Sequence, residues 1–482
     1  MIQRRSLETW NDAARNGLGI LLALACGVLL TQFPLADTLL LVFLFALALG
    51  TLGEPLVGLV GGLFLGLFRA YLQSEVPQIP AQIGHLYVAL AAASWAMRGL
   101  AQRDLRVPHP PLLLPLLGFV GAAWLSLWSA VDLMGYGLPE FAKWIEMLVI
   151  LLLVAERVQP RHLPWLLGAL LLIGSFQAGV GIYQSWLRGT GPAHFQIPDS
   201  DLYRAYGTFE QPNPYAGYIG MTLALASGWA GSLIVQREKG AKSALLTYLL
   251  VTAALLAAAL AASWSRGAWI GFAAAAATMA LALPRRTHRG LLLLALLALV
   301  ALLLYAAGLL PPSIVARLTD FAADLRLQDV RGVGITDANY AVIERLAHWQ
   351  AALEMWRDHF WRGVGLGCYE PAYAQFALVN WPYALGHAHN VYLNLLAETG
   401  LIGLAAYVLF WGAVFWQTWR VTRRTSGLVR GIAIGLLGAW THLAVHHLFD
   451  NLYVNNVHLF VGLLLGALTI CGHARAVHEH QA

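Results

Sequence analysis

The sequence predicts an all-α, polytopic membrane protein of about 14 (12 to 14) transmembrane helices, with one large outer loop that contains an amphipathic helix. Of its 482 residues, 59% are hydrophobic and only 11% are charged, whereas soluble domains average about 25% charged residues. Apolar runs of about 17 to 25 residues recur along nearly the whole chain, and each is long enough to cross a hydrocarbon layer of about 30 Å.

The candidate spans follow from run length and charge. They cover about residues 17–34, 36–53, 55–73, 81–98, 112–132, 139–155, 163–184, 215–236, 244–262, 267–283, 290–310, 391–419, 429–449 and 455–472. The connections around Gly53 and Ala262 are very short, which is why the expected count runs from 12 to 14. We expect the first run to be a retained helix rather than a cleaved signal peptide, because further runs follow it directly.

The basic residues predict the orientation of the chain. With the N-terminus inside, the loop clusters on that side hold 19 of the 30 Lys and Arg residues, as the positive-inside rule requires. Both termini are therefore expected to be cytoplasmic. Topology also accounts for the pI near 9.1 without a nucleic-acid partner.

Four segments follow from this reading. They are residues 1–186 with helices 1 to 7, residues 187–310 with an outer loop and helices 8 to 11, the large outer loop 311–390, and residues 391–482 with helices 12 to 14. In the large loop, the stretch "NYAVIERLAHWQAALEMWRDHFW" has apolar residues at helical spacing. We expect this helix to lie on the outer membrane face or to pack on the bundle.

Several arginines on the outer side are not needed for topology. Arg266 lies in "SWSRGAWIG", between two apolar runs, where it must find an anion, a partner, a water-filled cavity or the lipid headgroups. Arg204 opens "RAYGTFEQPNPYAGY", and it is either a loop residue or a second anion ligand. Arg345 in the large loop is either on the solvated face of the helix or part of the same site.

Two patterns could suggest a metal. Asp199 and Asp201 form "DSD", and His442 and His446 are four residues apart in "WTHLAVHHLFDN". Two acids at this spacing are common by chance, and the histidines lack an HExxH pattern. No metal site and no cofactor are therefore predicted.

The stretch "GHAHNVYLNLLAETGLIG" brings polar residues to the start of an apolar run. Asn390 is a natural N-cap for a helix starting at Val391. His389 would then precede the positive end of that helix, which favours the neutral imidazole that a general base needs. His387 fits a loop position. Glu398 lies about two turns into the span, where a carboxylate must be protonated or paired with an arginine or histidine.

Several ordered motifs resemble the O-antigen ligase and polymerase superfamily of bacterial enzymes. They are "RAYGTFEQPNPYAGY", "SWSRGAWIG", "ERLAHWQAAL" with "GVGLG", and "HAHNVYLNLLAETGLIG", and they cover about half of the chain. The last contains the ligase pattern of His389, Asn390, nine residues, Gly400, two residues and Gly403. The resemblance implies a GT-C-like fold.

The resemblance also implies inverting, metal-independent glycosyl transfer on the periplasmic side of the bacterial inner membrane. The donor would be a glycan on undecaprenyl diphosphate. The family's essential histidine corresponds to His389, acting as general base, and its two essential arginines correspond to Arg266 and Arg345. Arg204 is a further diphosphate-binding candidate, and Asn390, Glu398 and His387 are supporting candidates.

The sequence leaves three classes of acceptor possible. An O-antigen ligase transfers the glycan to lipid A-core during lipopolysaccharide biosynthesis, a polymerase extends O-antigen or exopolysaccharide, and a related subgroup glycosylates protein. The His-Asn pattern favours the ligase. The alternative from another class is an anion transporter of the bicarbonate type, which should show inverted repeats and interrupted helices near the midplane.

Overall fold

A computed structural model describes residues 34–75, 79–198, 200–236, 242–319, 329–336 and 339–479, together with residues 27, 28 and 31. Most of the first predicted span lies outside these residues, as do the N-terminal arginines, Arg237, Lys239 and Asp199. The described chain is built from helices. Numbered in chain order, they are α1 Leu35–Gly53, α2 Pro55–Leu67, α3 Arg69–Glu75, α4 Ile83–Ala101, α5 Leu113–Ser126, α6 Leu138–Arg157, α7 Leu163–Ile182, α8 Pro212–Gln236, α9 Lys242–Ala262, α10 Arg266–Ala282, α11 Thr287–Ala306, α12 Pro312–Thr319, α13 Tyr340–Asp358, α14 Tyr369–Ala372, α15 Val391–Arg424, α16 Gly427–His446 and α17 Val457–Glu479.

Seven helical segments in the described parts of the chain are long and apolar enough to cross a membrane. They are Leu35–Gly53, Pro160–Leu187, Pro212–Ile234, Ser243–Ala262, Thr287–Ala306, Val391–Arg424 and Gly427–His446. Shorter apolar helices cover Pro55–Leu67, Leu113–Ser129, Arg266–Ala282 and Val457–Gly472. The chain is thus a polytopic helical membrane protein, and the larger count of 12 to 14 spans stays a prediction.

Backbone contacts divide the chain into two units. The first contains Met1–Gly61 and Leu86–Leu105, and within it the Tyr87 hydroxyl donates a hydrogen bond to the carbonyl oxygen of Leu44 at 2.5 Å. The second contains Gly62–His85 and Arg106–Ala482. It holds every candidate site residue.

The second unit is organised around α16. Helices α8 and α10 pack against α16, α15 packs on α5 and α16, and α17 packs on α6. A Cβ atom on Gly228 of α8 would lie 2.3 Å from the backbone nitrogen of Gly435 of α16. Glycine at this crossing therefore lets the two backbones approach closely, as small residues do between transmembrane helices.

Several predicted boundaries differ from the structure, among them those of α8 and α15. Helix α8 begins at Pro212 rather than near Tyr215, because Pro212, Asn213 and Pro214 form its first turn instead of a separate tight turn. Proline suits this position because the first turn of a helix needs no backbone N–H donor. Helix α15 also continues beyond the predicted end, to Arg424.

The predicted helix of the large loop is present as α13, and it packs on α15. Its residues Ala351, Ala352 and Met355 are buried in one cluster with Ala388 and Ala397, which flank the start of α15. Packing on the bundle, rather than burial in the membrane surface, accounts for the apolar face of this helix. This packing fixes α13 against the segment that carries His389.

Candidate functional site

Four arginines surround one cavity of about 130 Å³ in the second unit. Arg266 is the first residue of α10, Arg345 lies on α13, Arg317 lies on α12, and Arg204 precedes α8. The described residues that line this cavity, called the arginine cavity below, include no Asp or Glu. The structure thus brings together the three arginines that the sequence singled out and adds Arg317.

Arg204 is held in place by two acceptors. Its Nε donates to the carbonyl oxygen of Ser263 at 3.0 Å, and a terminal nitrogen donates to Oδ1 of Asn213 at 2.9 Å. Burial, together with the positive charges of Arg317 and Arg345, lowers the pKa of Arg204 to about 9. An anion in the cavity would offset both effects, because it compensates the lost solvation and the mutual repulsion.

Arg345 and Arg317 are anchored through backbone carbonyl groups. Arg345 donates from Nε to Phe449 at 3.3 Å and from another nitrogen to Ala341 at 2.5 Å. Arg317 donates to the carbonyl oxygen of Trp264 at 3.3 Å. The two contacts of Arg345 leave it further N–H donors for an anion, since a guanidinium carries five in a planar fork.

Asp450 connects the arginine cavity to the predicted base. It follows α16 and is 5% exposed. Its Oδ2 accepts a hydrogen bond from Nδ2 of Asn213 at 2.8 Å, and its Oδ1 lies 3.5 Å from Nδ1 of His389 and 3.7 Å from Nε2 of His387. Asn213 in turn accepts from Arg204. A chain of polar contacts therefore runs from Arg204 to His389.

The charge state of this cluster follows from its neighbours. Burial by itself raises the pKa of Asp450, but its contact with His389 and the positive charge of Arg345 outweigh that effect, so the pKa lies below its ordinary value. Burial and the neighbouring His389 lower the pKa of His387 to about 4, although Asp450 opposes this shift. A carboxylate therefore stands beside a neutral His387.

His389 occupies a strained position directly before α15. Its φ is +52°, in the left-handed region that non-glycine residues rarely adopt. The N-cap prediction for Asn390 is confirmed, because its side chain accepts from the N–H groups of Tyr392 and Leu393 at 3.0 and 3.1 Å. Both ring nitrogens of His389 are buried, and neither makes a hydrogen bond of normal length to the described residues. Nε2 thus has no proton donor or acceptor in place, and it faces away from the Nδ1–Asp450 contact.

Two further cavities adjoin this cluster. An open groove of about 950 Å³ shares Leu346 and Trp349 with the arginine cavity and reaches Asn390. An apolar crevice of about 240 Å³ between α15 and α16 shares Tyr392 with that groove. His389 lines none of the three, and His446 is the histidine that lines the arginine cavity.

Glu398 has partners other than the arginine or histidine that the sequence suggested. Neither an arginine nor a histidine pairs with it among the described residues. Instead it accepts hydrogen bonds from the backbone N–H groups of Gly367 and Tyr369 and from the side chain of Asn394. Oδ1 of Asn394 also accepts from the N–H group of Ala388 at 3.0 Å. Glu398 therefore joins the "GVGLG" segment to the loop that carries His389.

The "GVGLG" segment is inserted where α15 is interrupted. Gly400 has a φ of +63° inside α15, which leaves backbone groups without helical partners. The segment before Cys368 supplies the missing partners. The N–H groups of Val364 and Gly365 donate to the carbonyl oxygens of Ala397 and Glu398, both at 2.9 Å. Gly400 thus accommodates this segment. Gly403 instead contacts Thr399 within its own helix.

Two groups of three residues in the described chain have ligand atoms close enough to hold a metal. They are His387, His389 and Asp450, and His85, Glu146 and His458. The patterns considered in the sequence are not among them: Asp201 is exposed, and His442 and His446 contact each other edge to face, with ring centroids 5.5 Å apart.

Sequence reasoning did not assign Asp450, Asn213, Arg317 or His446 to the site. Asp450 carried one usable signal, since an acid directly after an apolar span is either exposed or paired. No local pattern distinguishes Arg317 from other basic residues of the large loop, because its role depends on where α12 lies.

The fold and the site define a polytopic helical membrane protein with a cationic cavity beside a buried histidine–carboxylate pair. A protein-family model described as O-antigen ligase matches residues 251–408, a stretch that includes Arg266, Arg345 and His389. The match confirms the resemblance to the O-antigen ligase and polymerase superfamily and indicates a membrane enzyme of the ligase or polymerase type. Arg204 and Asp450 lie outside the matched residues. A comparison with curated proteins finds no match.

Proposed function

We propose that the protein transfers a glycan from undecaprenyl diphosphate to an acceptor hydroxyl on the periplasmic side of the bacterial inner membrane, acting as an O-antigen ligase on lipid A-core. The observation that carries this proposal is the polar chain from the arginine cavity through Asn213 and Asp450 to His389. It joins an anion site to a candidate base within one unit.

The arginine cavity suits the diphosphate of the donor. Guanidinium groups bind phosphate oxygens bidentately, and their charge stabilises the negative charge that grows on a departing diphosphate. Arg266 and Arg345 take this role, with Arg204 as a third ligand. In this proposal the arginines supply the positive charge that a divalent metal supplies in other phosphate-transfer sites.

His389 is the proposed general base, with Asp450 as its positioning residue. Contact of Asp450 with Nδ1 leaves Nε2 to accept a proton, as in other histidine–carboxylate pairs. The acceptor oxygen attacks the anomeric carbon, its proton passes to Nε2, and the bond from that carbon to the diphosphate oxygen breaks. Undecaprenyl diphosphate leaves, and one displacement inverts the anomeric configuration.

The adjoining cavities offer room for the rest of both substrates. The groove next to Asn390 carries charged and aromatic side chains, including Arg357, Glu354 and Trp349, and suits a hydrated glycan. The crevice lined by Trp411, Phe415 and Leu443 is apolar and suits part of a polyprenyl chain. The two meet at Tyr392, one residue beyond the first residue of α15.

The ligase is favoured among the acceptors because His389, Asn390, Gly400 and Gly403 keep the ligase spacing. A polymerase and a protein glycosyltransferase would use the same donor chemistry. The experiment that separates them uses the purified full-length protein in nanodiscs with labelled lipid-linked glycan. One arm adds lipid A-core, a second adds another lipid-linked repeat unit, and a third adds an acceptor protein.

Label on lipid A-core supports the ligase, and label on one of the other acceptors assigns the enzyme to that class instead. No label in any arm contradicts glycosyl transfer and favours the transporter, which is then tested by bicarbonate uptake into proteoliposomes.

His446 is the competing base, because it lines the arginine cavity itself. The variants His389→Ala and His446→Ala, each checked for folding by size-exclusion chromatography, separate the two. Loss of transfer in His389→Ala with transfer retained in His446→Ala supports His389. The reverse pattern moves the base to His446.

A further inference from the structure

Another cavity, separate from the three described above, lies at the opposite end of α15 from the candidate site. This helix begins at Val391 beside His389, contains 34 residues and ends at Arg424, which corresponds to about 50 Å of helix. The cavity has a volume of about 270 Å³ and is lined by residues of α15, α17 and the start of α5. They include Leu112, Trp416, Gln417, Arg420, Arg424 and Thr469.

Two arginines line this cavity, and no acidic residue among the described lining residues compensates their positive charge. Arg420 and Arg424 are one turn apart on α15, and neither makes a hydrogen bond or ion pair with a described residue. Like charges at this spacing repel each other, so an anion between them is favoured.

The neighbouring Arg423 shows what a structural arginine looks like at the same helix end. Its guanidinium stacks on Trp419 at 4.1 Å and donates to the carbonyl oxygens of Pro284, Arg285 and Leu281. Arg423 is thus fully engaged by the protein, whereas Arg420 and Arg424 are directed at the cavity.

Gln417 and Trp416 indicate which kind of anion this cavity could bind. Oε1 of Gln417 is buried, accepts no hydrogen bond from the described residues, and belongs to a residue that lines the cavity. A buried acceptor of this kind needs a donor. Trp416 is 64% exposed, as tryptophans commonly are at the boundary between lipid tails and headgroups.

We propose that this cavity binds the headgroup of an anionic membrane phospholipid that carries a hydroxyl, as phosphatidylglycerol does. The phosphodiester lies between Arg420 and Arg424, a headgroup hydroxyl donates to Oε1 of Gln417, and the acyl chains run along Trp416. Basic pockets between transmembrane helices are known to bind lipid headgroups of this charge. This site is independent of the proposed glycosyl transfer.

The test measures binding of phosphatidylglycerol to delipidated full-length protein by native mass spectrometry. The double variant Arg420→Gln/Arg424→Gln should weaken that binding by about thirty-fold, because each arginine near an anionic lipid raises the affinity by about fivefold. The control is Arg161→Gln/Arg286→Gln, which removes the same charge from exposed residues that do not line the cavity. It should retain binding within about threefold.

A second comparison tests the hydroxyl. Gln417→Leu should weaken binding of phosphatidylglycerol but leave that of phosphatidylmethanol, which has the same charge and no headgroup hydroxyl. Thermal melting verifies that each variant is folded. Equal losses in both double variants would show only a general charge effect, and no loss in either would remove the site. Equally tight binding of soluble glycerol phosphate would replace the lipid by a free phosphate ester.

Discussion

Nδ1 of His389 lies 3.5 Å from Oδ1 of Asp450, and the other carboxylate oxygen of Asp450 accepts a hydrogen bond from Asn213. The carboxylate is therefore shared between the proposed base and the residue that holds Arg204. The positions of Arg204 and of the imidazole are therefore coupled through one buried group. This coupling distinguishes the site from an isolated histidine at a helix N-terminus.

Asp450→Asn should lower glycan transfer by about two to four orders of magnitude, because the amide orients the imidazole wrongly and does not stabilise its protonated form. Binding of the lipid-linked donor should change much less. The measurement is the initial rate of transfer together with donor binding to the same variant. Asp201→Asn, at an exposed position, is the control. A rate within about twofold of the wild-type value for Asp450→Asn would exclude the positioning role.

Arg266→Lys and Arg345→Lys should each lower transfer by about a hundredfold, because lysine keeps the charge but loses the planar fork that binds two phosphate oxygens. The readout is transfer at saturating acceptor, with donor concentration varied. Arg188→Lys changes an exposed arginine outside the arginine cavity and should have no effect. Normal activity of Arg266→Lys would show that this residue only contacts lipid headgroups.

Acidification should destabilise the protein in a defined range. Burial lowers the pKa of His387 to about 4 and that of His348 to about 3, whereas a histidine in the unfolded chain has a pKa near 6.5. Below about pH 6.5 the unfolded state therefore binds protons that the folded state excludes, and stability falls. For His387 this costs about 1 kcal/mol for each pH unit down to about pH 4.

The melting temperature in nanodiscs, followed from about pH 8 to about pH 5, measures this effect. The difference in melting temperature between the wild-type protein and His387→Gln should be constant above about pH 7 and should change below about pH 6.5, where only the wild-type protein loses the stability linked to His387. The Asp450 carboxylate adds no loss in this range, because its pKa is lowered in the folded state and its contribution disappears only below about pH 4. His387→Gln should reduce the slope, and an unchanged slope in that variant would assign the effect to other groups.

Residues with local signals were predicted well. Asn390 was recognised as an N-cap from its position before an apolar run, and α13 was recognised from apolar residues at helical spacing. The arginines were singled out by topology together with the family resemblance, and the structure brings Arg204, Arg266 and Arg345 into one cavity. Their roles in catalysis stay predictions.

Contacts between distant segments could not be predicted in the same way. Asp450 reaches His389 only because the end of α16 meets the loop before α15. Glu398 is paired with backbone N–H groups, which every residue except proline carries, so no side-chain pattern announces such a partner. Gly400 could be read as a packing residue because its positive φ is a property of the folded chain.

Glu398→Gln should be tolerated better than Glu398→Ala. Glutamine keeps a side-chain oxygen for the N–H groups of Gly367 and Tyr369, whereas alanine leaves them buried without an acceptor, at a cost of about 1 to 3 kcal/mol each. Alanine should also lower transfer, because the link through Asn394 to Ala388 is lost. Melting temperature and transfer rate are measured for both variants. Equal destabilisation by the two would show that the negative charge, rather than the acceptor, is required.

Gly400→Ala should destabilise the protein by about 3 kcal/mol or more, for two reasons that act together. Its φ of +63° strains any side chain, and a Cβ atom would lie 2.3 Å from the backbone carbonyl carbon of Trp361. Gly412→Ala is the matched control in the same helix, because a Cβ atom there has nothing within 4 Å. Alanine at that position should stabilise α15 by about 1 kcal/mol, since glycine is the poorer helix former. Thermal melting of the two variants measures the difference, and similar melting temperatures would show that the "GVGLG" segment does not insert at the break in α15.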